Sequence, residues 1–351
     1  MVEFRRYDAA RLEGFCTAAM EALGVPADGA ATVSRCLVSA NLHGVDTHGM
    51  ARLPTYMRRL GQGAIHPRGV PSIVGGLGAV AVLDGHHALG PIAAQAGMAE
   101  AMRRAKEHGA SYVTVRNSSH FSYAAYYCEQ AAAQGFIGLC SSGGEPTVAP
   151  WGGTKAFFTN PPLALAAPTS GEPIVVDLAT SVSSRGNILI AKMLGEPIPG
   201  DWAIDNKGNS TTDAAAALAG SVLPMGGAKG YALIVALEIL NSVLAGGAMA
   251  PDVGSQASQD GLPAGVSHFF IAIDPAALME RSEYNARIDS FAASARAAPP
   301  RDAGQPIRLP GDRRREIAAL RRVDGIPLPL KLVEELILAA QQYAPSVKVI
   351  L

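Results

Sequence analysis

At 351 residues, 48% hydrophobic and 17% charged, the chain holds enough apolar material for more than one core. A formal net charge of −1 with no basic stripe argues against a nucleic-acid partner. No run approaches the roughly 18 apolar residues of a membrane span, and the opening MVEFRRYDAARLEGF lacks the apolar centre of a signal peptide, so no membrane contact and a cytoplasmic location are expected.

Asp8 is placed to cap a first helix, with Leu12, Phe15, Cys16, Ala19 and Leu23 on one face and Gly24 and Pro26 ending it. Asp28 starts a second helix carrying Val33, Leu37 and Ala40 toward Gly44, and RLPTYMRRLGQG reads as a further short helix. From about residue 79 the pattern alternates: strand AVAVLDG, helix GPIAAQAGMAEAMRRAKEHG, strand SYVTVRN, a helix over 123–134, strand FIGLCSS. PPLALAAP and PIVVDLAT, separated by TSGE, predict a β-hairpin. Residues 182–194 read as a helix, DNKGN as a turn, and a long apolar helix starts near Ala228. SHFFIAI is a late strand, residues 250–265 and 295–312 read as loops, and the chain closes with a helix at about 328–343. Cys16, Cys36, Cys128 and Cys140 sit singly in apolar patterns without a CxxC, which predicts reduced, buried thiols. No G-x-G-x-x-G follows a strand and opens a helix, and GGAKGY lacks the Walker A spacing, so neither a Rossmann nor a P-loop protein is expected.

Four stretches carry the chemistry. In HGVDTHGMAR, His48 and Arg52 are spaced i, i+4 and share a face if the helix continues through them, with the Thr47 hydroxyl alongside. A histidine is the natural proton donor to a carbonyl near neutral pH, and a guanidinium grips a carboxylate in a fork. Together they describe a site for a 2-oxo or 2-imino acid, whereas the bland alternative is a helix end answering its dipole. A metal reading through His43, Asp46 and His48, and with it a metal-dependent hydrolase or lyase, is disfavoured because the histidines are five apart with Gly44 between. In VRNSSHFSY a strand delivers His120, Phe121 and Ser122 to a helix start, or Ser118, Ser119 and Ser122 merely cap that helix. In VVDLATSVSSRGN, Asp177 either accepts from a cofactor or caps the helix after Thr180. In LPMGGAKGYAL, paired glycines leave amides open at a helix start beside Lys229, which suits phosphate, unless this is a tight turn with Lys229 in solvent.

These stretches, in order, with ANLHGVDTHGMARLPTY, VAPWGGTKAFFTNPPLALAAP and the late LPGD, resemble the type-2 malate/L-lactate dehydrogenase family, which also holds sulfolactate and ureidoglycolate dehydrogenases, diketogulonate reductase and Δ1-piperideine-2-carboxylate reductase. The resemblance covers about residues 8–343 and implies an α/β (α+β) chain with a non-Rossmann NAD(P)-binding fold: a largely antiparallel central sheet plus a helical N- and C-terminal part. It implies a homodimer, NAD or NADP as cofactor, and a small carboxylate substrate. The expected division is 1–75 with 312–351 as the helical domain, 76–121 with 290–311 on the substrate side, and 122–289 for the coenzyme. By the same likeness His48 is the acid–base group oriented by Thr47, and Arg52 holds the substrate carboxylate. His120 shares the proton work or contacts the nicotinamide, and Thr159 lies near the substrate. Phe121, Ser122, Ser141, Asp177, Leu178, Ala179, Lys229, Gly230 and Gly311 are implied to line the cofactor.

There are departures. Thr47 stands where the family usually has serine, and Phe158-Thr159-Asn160-Pro161 where many members have a glycine first. Cyclic-imine reductases tend to have His-Gly-Asp where this chain has Arg185-Gly186-Asn187, and Asn187 supplies no charge to a relay. That shifts weight from an imine reductase to a 2-hydroxy acid dehydrogenase, with Arg185 either meeting a second acidic group on the substrate or lying on the surface.

Overall fold

The computed structural model describes residues 3–302 and 304–348. In chain order the elements are β1 (Phe4–Tyr7), α1 (Ala9–Ala22), α2 (Ala27–Leu42), α3 (Leu53–Gly61), β2 (Ser72–Leu77), β3 (Val80–Asp84), α4 (Gly90–His108), β4 (Ala110–Ser118), α5 (Ala125–Ala133) and β5 (Ile137–Ser142). There follow β6 (Leu163–Ala167), β7 (Ile174–Leu178), α6 (Arg185–Leu194), β8 (Ala203–Ile204), α7 (Ala214–Ala219), β9 (Ser221–Val222) and α8 (Ala228–Glu238). The chain ends through β10 (Val266–Ile273), α9 (Arg281–Ala297), α10 (Asp312–Asp324), β11 (Ile326–Pro329) and α11 (Leu330–Tyr343).

A seven-stranded sheet in the order β2-β3-β4-β10-β5-β6-β7 forms the centre. Only β3 and β4 run parallel in it, so the sheet is largely antiparallel, and β6–β7 is the hairpin expected across TSGE. The helices α4 and α5 cover it, burying Met98, Ala101, Tyr127 and Cys128 against Val113, Val115 and Phe270. A second cluster joins α1, α2 and α3 to β11 and α11 through Leu12, Phe15, Leu37, Met57, Ile326 and Leu336, which unites the two chain ends. A third, around Val148, Ile188, Val222 and Ile234, packs α6 and α8 together. The four cysteines are buried free thiols.

Local chemistry accounts for the ends of the helices. Asp8 caps α1, accepting from Ala10 N at 2.9 Å and Arg11 N at 3.2 Å. The helix α2 starts at Ala27 after Pro26, so Asp28 lies in its first turn rather than at its cap. The expected helix over 182–194 begins three residues later, because Val182 N donates to Leu223 O at 2.9 Å and Ser184 takes the cap. Three helices fall where no helix was expected, the short α7 and the longer α9 and α10. On α9 only Tyr284 and Ala292 are buried, and on α10 only Ala318, so neither shows the apolar period that marks an amphipathic helix. The wholly exposed edge strand β2 lacks a sequence signal for the same reason, whereas β11 buries Ile326 and Leu328 but is only four residues long with two prolines, too short to read as a strand.

The register sets the working end of the sheet. Ser118 lies opposite Val266, His268 opposite Ser142, Ser141 opposite Leu163, and Leu163 opposite Leu178. The segments after β4, β5 and β7 therefore leave the sheet along one edge, where such folds keep ligands. Buried His268 crosses that edge, its Nε2 2.8 Å from Ser118 Oγ and its Nδ1 2.9 Å from Ser142 Oγ. Burial holds it down at about 3. The unfolded chain takes up this proton below about pH 6.5 while the folded chain refuses it, so folding stability falls as pH drops from 6.5 toward 3. His268→Asn should flatten that dependence by about one proton, or about 1.4 kcal/mol per pH unit, in denaturant titrations at stepped pH. An unchanged slope would show that His268 is not the source of this acid sensitivity.

Candidate active site

The site begins where α2 ends. Buried Asn41 donates Nδ2 to Asp46 Oδ1 at 2.7 Å and accepts from Met50 N at 2.7 Å, stitching the chain into two 3₁₀ turns, Asp46–His48 and Met50–Arg52. His48 and Arg52 thus do not share one continuing helix, because the path breaks at Gly49. A Cβ at Gly49 would sit 2.1 Å from Asn41 Oδ1, so no larger residue fits that crossing. Arg321 fixes the turn from outside, its two terminal nitrogens 2.7 and 3.0 Å from Asp46. His43 donates Nδ1 to Ser39 O at 2.9 Å, so His43, Asp46 and His48 serve different partners and do not converge as a ligand set.

The turn brings His48 and Arg52 together in another way. Arg52 Nε donates to Thr47 O at 2.7 Å, and the Thr47 hydroxyl lies 2.9 Å from His48 Nδ1. The His48 ring stacks on His120, centroids 5.6 Å apart and planes at 25°. Burial, then the Arg52 charge, hold His48 down at about 3, and the same two causes hold His120 well below the ordinary histidine value. The resting site is a pair of neutral imidazoles beside one guanidinium.

His120 follows β4. Its Nδ1 lies 2.9 Å from the hydroxyl of buried Tyr56, a residue of α3 that the sequence reading passed over although it stands four positions after Arg52. Ser122, with a left-handed φ of 70°, donates its backbone N–H to His120 Nδ1 at 3.3 Å and its hydroxyl to His48 O at 2.7 Å. Phe121 is buried and stacks on His268, centroids 4.8 Å apart at 3°.

The remaining expected residues form two groups. Thr159 is buried with its hydroxyl unpartnered, and Asn160 accepts from Thr180 N at 3.1 Å and Ser181 N at 3.0 Å, tying this segment to the end of β7. Met225 N donates to Thr180 O at 2.9 Å, which sets the turn before α8 beside them. Here Gly226 and Gly227 have left-handed φ of 59° and 65°, α8 has no side-chain cap, and Lys229 is exposed. Asp177 belongs to the second group: Ala125 N lies 3.4 Å and Arg314 3.5 Å from its Oδ2, and burial, partly offset by Arg314, raises it to about 6. Gly311, at the start of α10 with φ 97°, lies beside the same strand through the bond from Val175 N to Pro310 O at 3.2 Å. Leu178 ends β7 and Ala179 is exposed next to it, while buried Ser141 accepts from Asn241 Nδ2 at 2.9 Å. The start of α6 links these groups to the histidines, since a Cβ on Gly186 would lie 3.2 Å from Thr47 Cγ2. Arg185 donates to Leu218 O at 2.7 Å and Asn187 Nδ2 to Ser183 Oγ at 3.3 Å, so both are engaged within α6 and its neighbours.

These features fit a dinucleotide. The uncapped start of α8, preceded by left-handed Gly226 and Gly227, leaves backbone amides for phosphate, with Lys229 at hand. Gly230 lets the turn close, since a Cβ there would sit 1.9 Å from Met225 O. Gly230→Ala should therefore weaken coenzyme binding by at least about tenfold, the equivalent of about 1.4 kcal/mol, in titrations of coenzyme fluorescence. Unaltered affinity would remove this turn from the coenzyme site.

Two stacked imidazoles beside a guanidinium, with an uncapped glycine turn on a largely antiparallel, non-Rossmann sheet, fit a coenzyme-dependent oxidoreductase. The chain belongs to the malate/L-lactate dehydrogenase family, whose model matches residues 7–337, and is an NAD(P)-dependent enzyme of that family. It is 35% identical over 320 residues to the malate/(S)-sulfolactate dehydrogenase of Methanothermus fervidus, covering 90% of this chain and 92% of that one. It is 33% identical over 334 residues to the Δ1-pyrroline-2-carboxylate reductase of Ancylobacter novellus, covering 94% and 96%. The crystal structure of a dehydrogenase from Sinorhizobium meliloti superimposes with a TM-score of 0.89 at 37% identity, covering 96% of this chain and 98% of that one.

Proposed function

We propose that the chain catalyses reversible hydride transfer between NAD or NADP and C2 of a small 2-hydroxy or 2-oxo monocarboxylic or dicarboxylic acid of the malate and lactate type. The observation that carries this reading is the neutral His48–His120 pair set against Arg52. When bound, the nicotinamide supplies or accepts the hydride. Arg52 holds the substrate carboxylate in its guanidinium fork, and His48 gives its proton to the C2 oxygen in reduction and takes it back in oxidation. Thr47 orients the His48 ring through its hydroxyl. The orphaned hydroxyl of Thr159 gains a partner when a polar substrate atom fills the space before it. His120, Phe121, Ser122, Ser141, Asp177, Leu178, Ala179, Lys229, Gly230 and Gly311 are the proposed coenzyme side. Arg185 and Asn187 are proposed for the substrate side because Gly186 between them packs against Thr47, which requires them to leave Leu218 O and Ser183 Oγ.

The same groups would protonate an imine nitrogen, and the likeness to a pyrroline-2-carboxylate reductase supports that second reading. Purified protein with NADH or NADPH, tested for loss of the reduced-coenzyme absorbance against 2-oxo acids and preformed cyclic imines, separates the two. Turnover of an oxo acid supports the proposal, turnover of imines alone replaces it with the second reading, and saturable coenzyme binding without turnover sinks both.

We also propose a homodimer. Leu189, Ile190, Met193 and Leu194 on α6 are exposed, and Ile190, Met193 and Leu194 line one apolar groove with Phe4 of β1, a surface that a second copy would cover. The helical division 1–75 with 312–351 is proposed on its own apolar cluster, and the further division into 76–121 with 290–311 and 122–289 on the family likeness alone, since one sheet and one cluster run through both of those parts. A cytoplasmic location is proposed on the free thiols, of which Cys128 and Cys140 stand 3.5 Å apart unbonded. Among the described residues no helix is long and apolar enough to cross a membrane.

A further inference from the structure

The two stacked histidines are not held alike. At His120 the Nδ1 atom faces the backbone N–H of Ser122 at 3.3 Å and the Tyr56 hydroxyl at 2.9 Å. A backbone N–H only donates, so Nδ1 must present its lone pair, and the ring proton belongs on Nε2. The Tyr56 hydroxyl fits this arrangement without deciding it: it lies 2.9 Å from both Nδ1 and the His120 carbonyl, its one proton goes to one or the other, and the Ser122 N–H is what assigns the tautomer. Among the described residues no side chain or backbone group meets Nε2. A second proton on this ring would point from Nδ1 into the Ser122 N–H.

At His48, among the described residues, the one partner of Nδ1 is the exposed Thr47 hydroxyl at 2.9 Å. A hydroxyl both donates and accepts, so it serves the imidazole and the imidazolium equally. The groups facing His120 sharpen the contrast. Arg52 and His48 approach from the 46–52 turn, Tyr56 from α3 and His268 from β10, and among them there is no anion to hold a proton on the ring.

We propose that Tyr56 and the Ser122 amide lock His120 as a neutral, Nε2-protonated hydrogen-bond donor, leaving His48 as the one histidine that carries the transferred proton. In reduction, hydride adds at C2 and the carbonyl π pair moves onto oxygen. That oxygen takes the proton from the His48 imidazolium, which returns to imidazole, while His120 donates a hydrogen bond and keeps its proton. Tyr56 is a positioning residue in this scheme and touches no substrate. The assignment of roles rests on the dehydrogenase reading above, whereas the tautomer does not.

The test is long-range nitrogen–proton NMR on the full chain with nitrogen-labelled histidine, free and with NADH or NADPH. The His120 signals are identified by their loss in His120→Gln. The expected result is a bare Nδ1 and a protonated Nε2 on His120, constant from about pH 5 to about pH 8. Tyr56→Phe should mix the two tautomers and lower kcat about tenfold, the loss of one well-placed hydrogen bond. It should leave KM within about twofold and the pH limb of His48 in place. A proton on Nδ1, a second proton gained across that range, or a displaced pH limb in Tyr56→Phe would overturn the proposal. If Tyr56→Phe fails to fold, the wild-type spectrum decides by itself. A correct tautomer in a protein that turns over neither oxo acids nor imines would locate the failure in the dehydrogenase reading.

Discussion

His48→Ala is expected to lower kcat by about 10²- to 10⁴-fold, the range that a positioned proton donor contributes. The fold should survive, because the contacts that build the turn use the His48 backbone carbonyl and its neighbours, not its ring: Ser122 Oγ holds His48 O at 2.7 Å and Asn41 holds Met50 N at 2.7 Å. Thermal unfolding of the variant checks that point separately from its rate. The pH dependence has a definite sign. Burial and Arg52 hold His48 at about 3 in the resting site, so the base form persists well to the acid side of an ordinary histidine. Oxidation of a 2-hydroxy acid should therefore keep its kcat/KM as pH falls through 6.5 and lose it only nearer 3. In reduction, a substrate carboxylate paired with Arg52 cancels the second of the two causes, which raises His48 in the complex and makes its protonated form easier to reach. A kcat/KM for oxidation that collapses at about pH 6.5 would show that this imidazole is not held down.

Arg52→Met is expected to raise the KM for the carboxylate substrate by about 10- to 100-fold, as one or more charge-assisted hydrogen bonds of about 1.5–3 kcal/mol are lost. A smaller drop in kcat should accompany it, because Arg52 Nε also ties the turn through Thr47 O at 2.7 Å and a loosened turn misaligns His48. Removing the guanidinium also removes a charge that depresses His48, so the acid limb of the oxidation profile should move up in pH. Arg52→Lys separates charge from geometry: it keeps a cation near His48 but not the planar fork, so KM should rise while the limb stays low. Steady-state kinetics at stepped pH reads both effects at once. An unchanged KM in Arg52→Met would remove the carboxylate grip from this residue.

Much of the site was legible because its residues are close in sequence or sit at the ends of strongly patterned elements. The apolar runs around β4, β5 and the β6–β7 hairpin announce the sheet, and the glycine-rich turn before α8 announces free amides. The missing G-x-G-x-x-G already pointed away from a Rossmann sheet, and the register agrees, with β3–β4 the one parallel pair in the seven-stranded sheet. Helices α9 and α10 were not legible because they bury almost nothing, and burial is what writes a period into a sequence.

By itself, then, the sequence determined which residue types stand next to which chain punctuation: His48 with Thr47 and Arg52 around Gly49, His120 after a strand, Lys229 after two glycines. Only the tertiary structure decided how these act. The i, i+4 spacing of His48 and Arg52 suggested a shared helical face, but Gly49, at φ −90° and ψ −137°, leaves the helical path where Asn41 takes the Met50 N–H, and a bond to the Thr47 carbonyl joins them instead. Tyr56 meets His120 across 64 positions and Arg321 meets Asp46 across 275. No local pattern records such pairs, because hydrogen bonds formed by folding the chain back on itself depend on distance in space, whereas spacing along the chain reports only on neighbours within a turn or two.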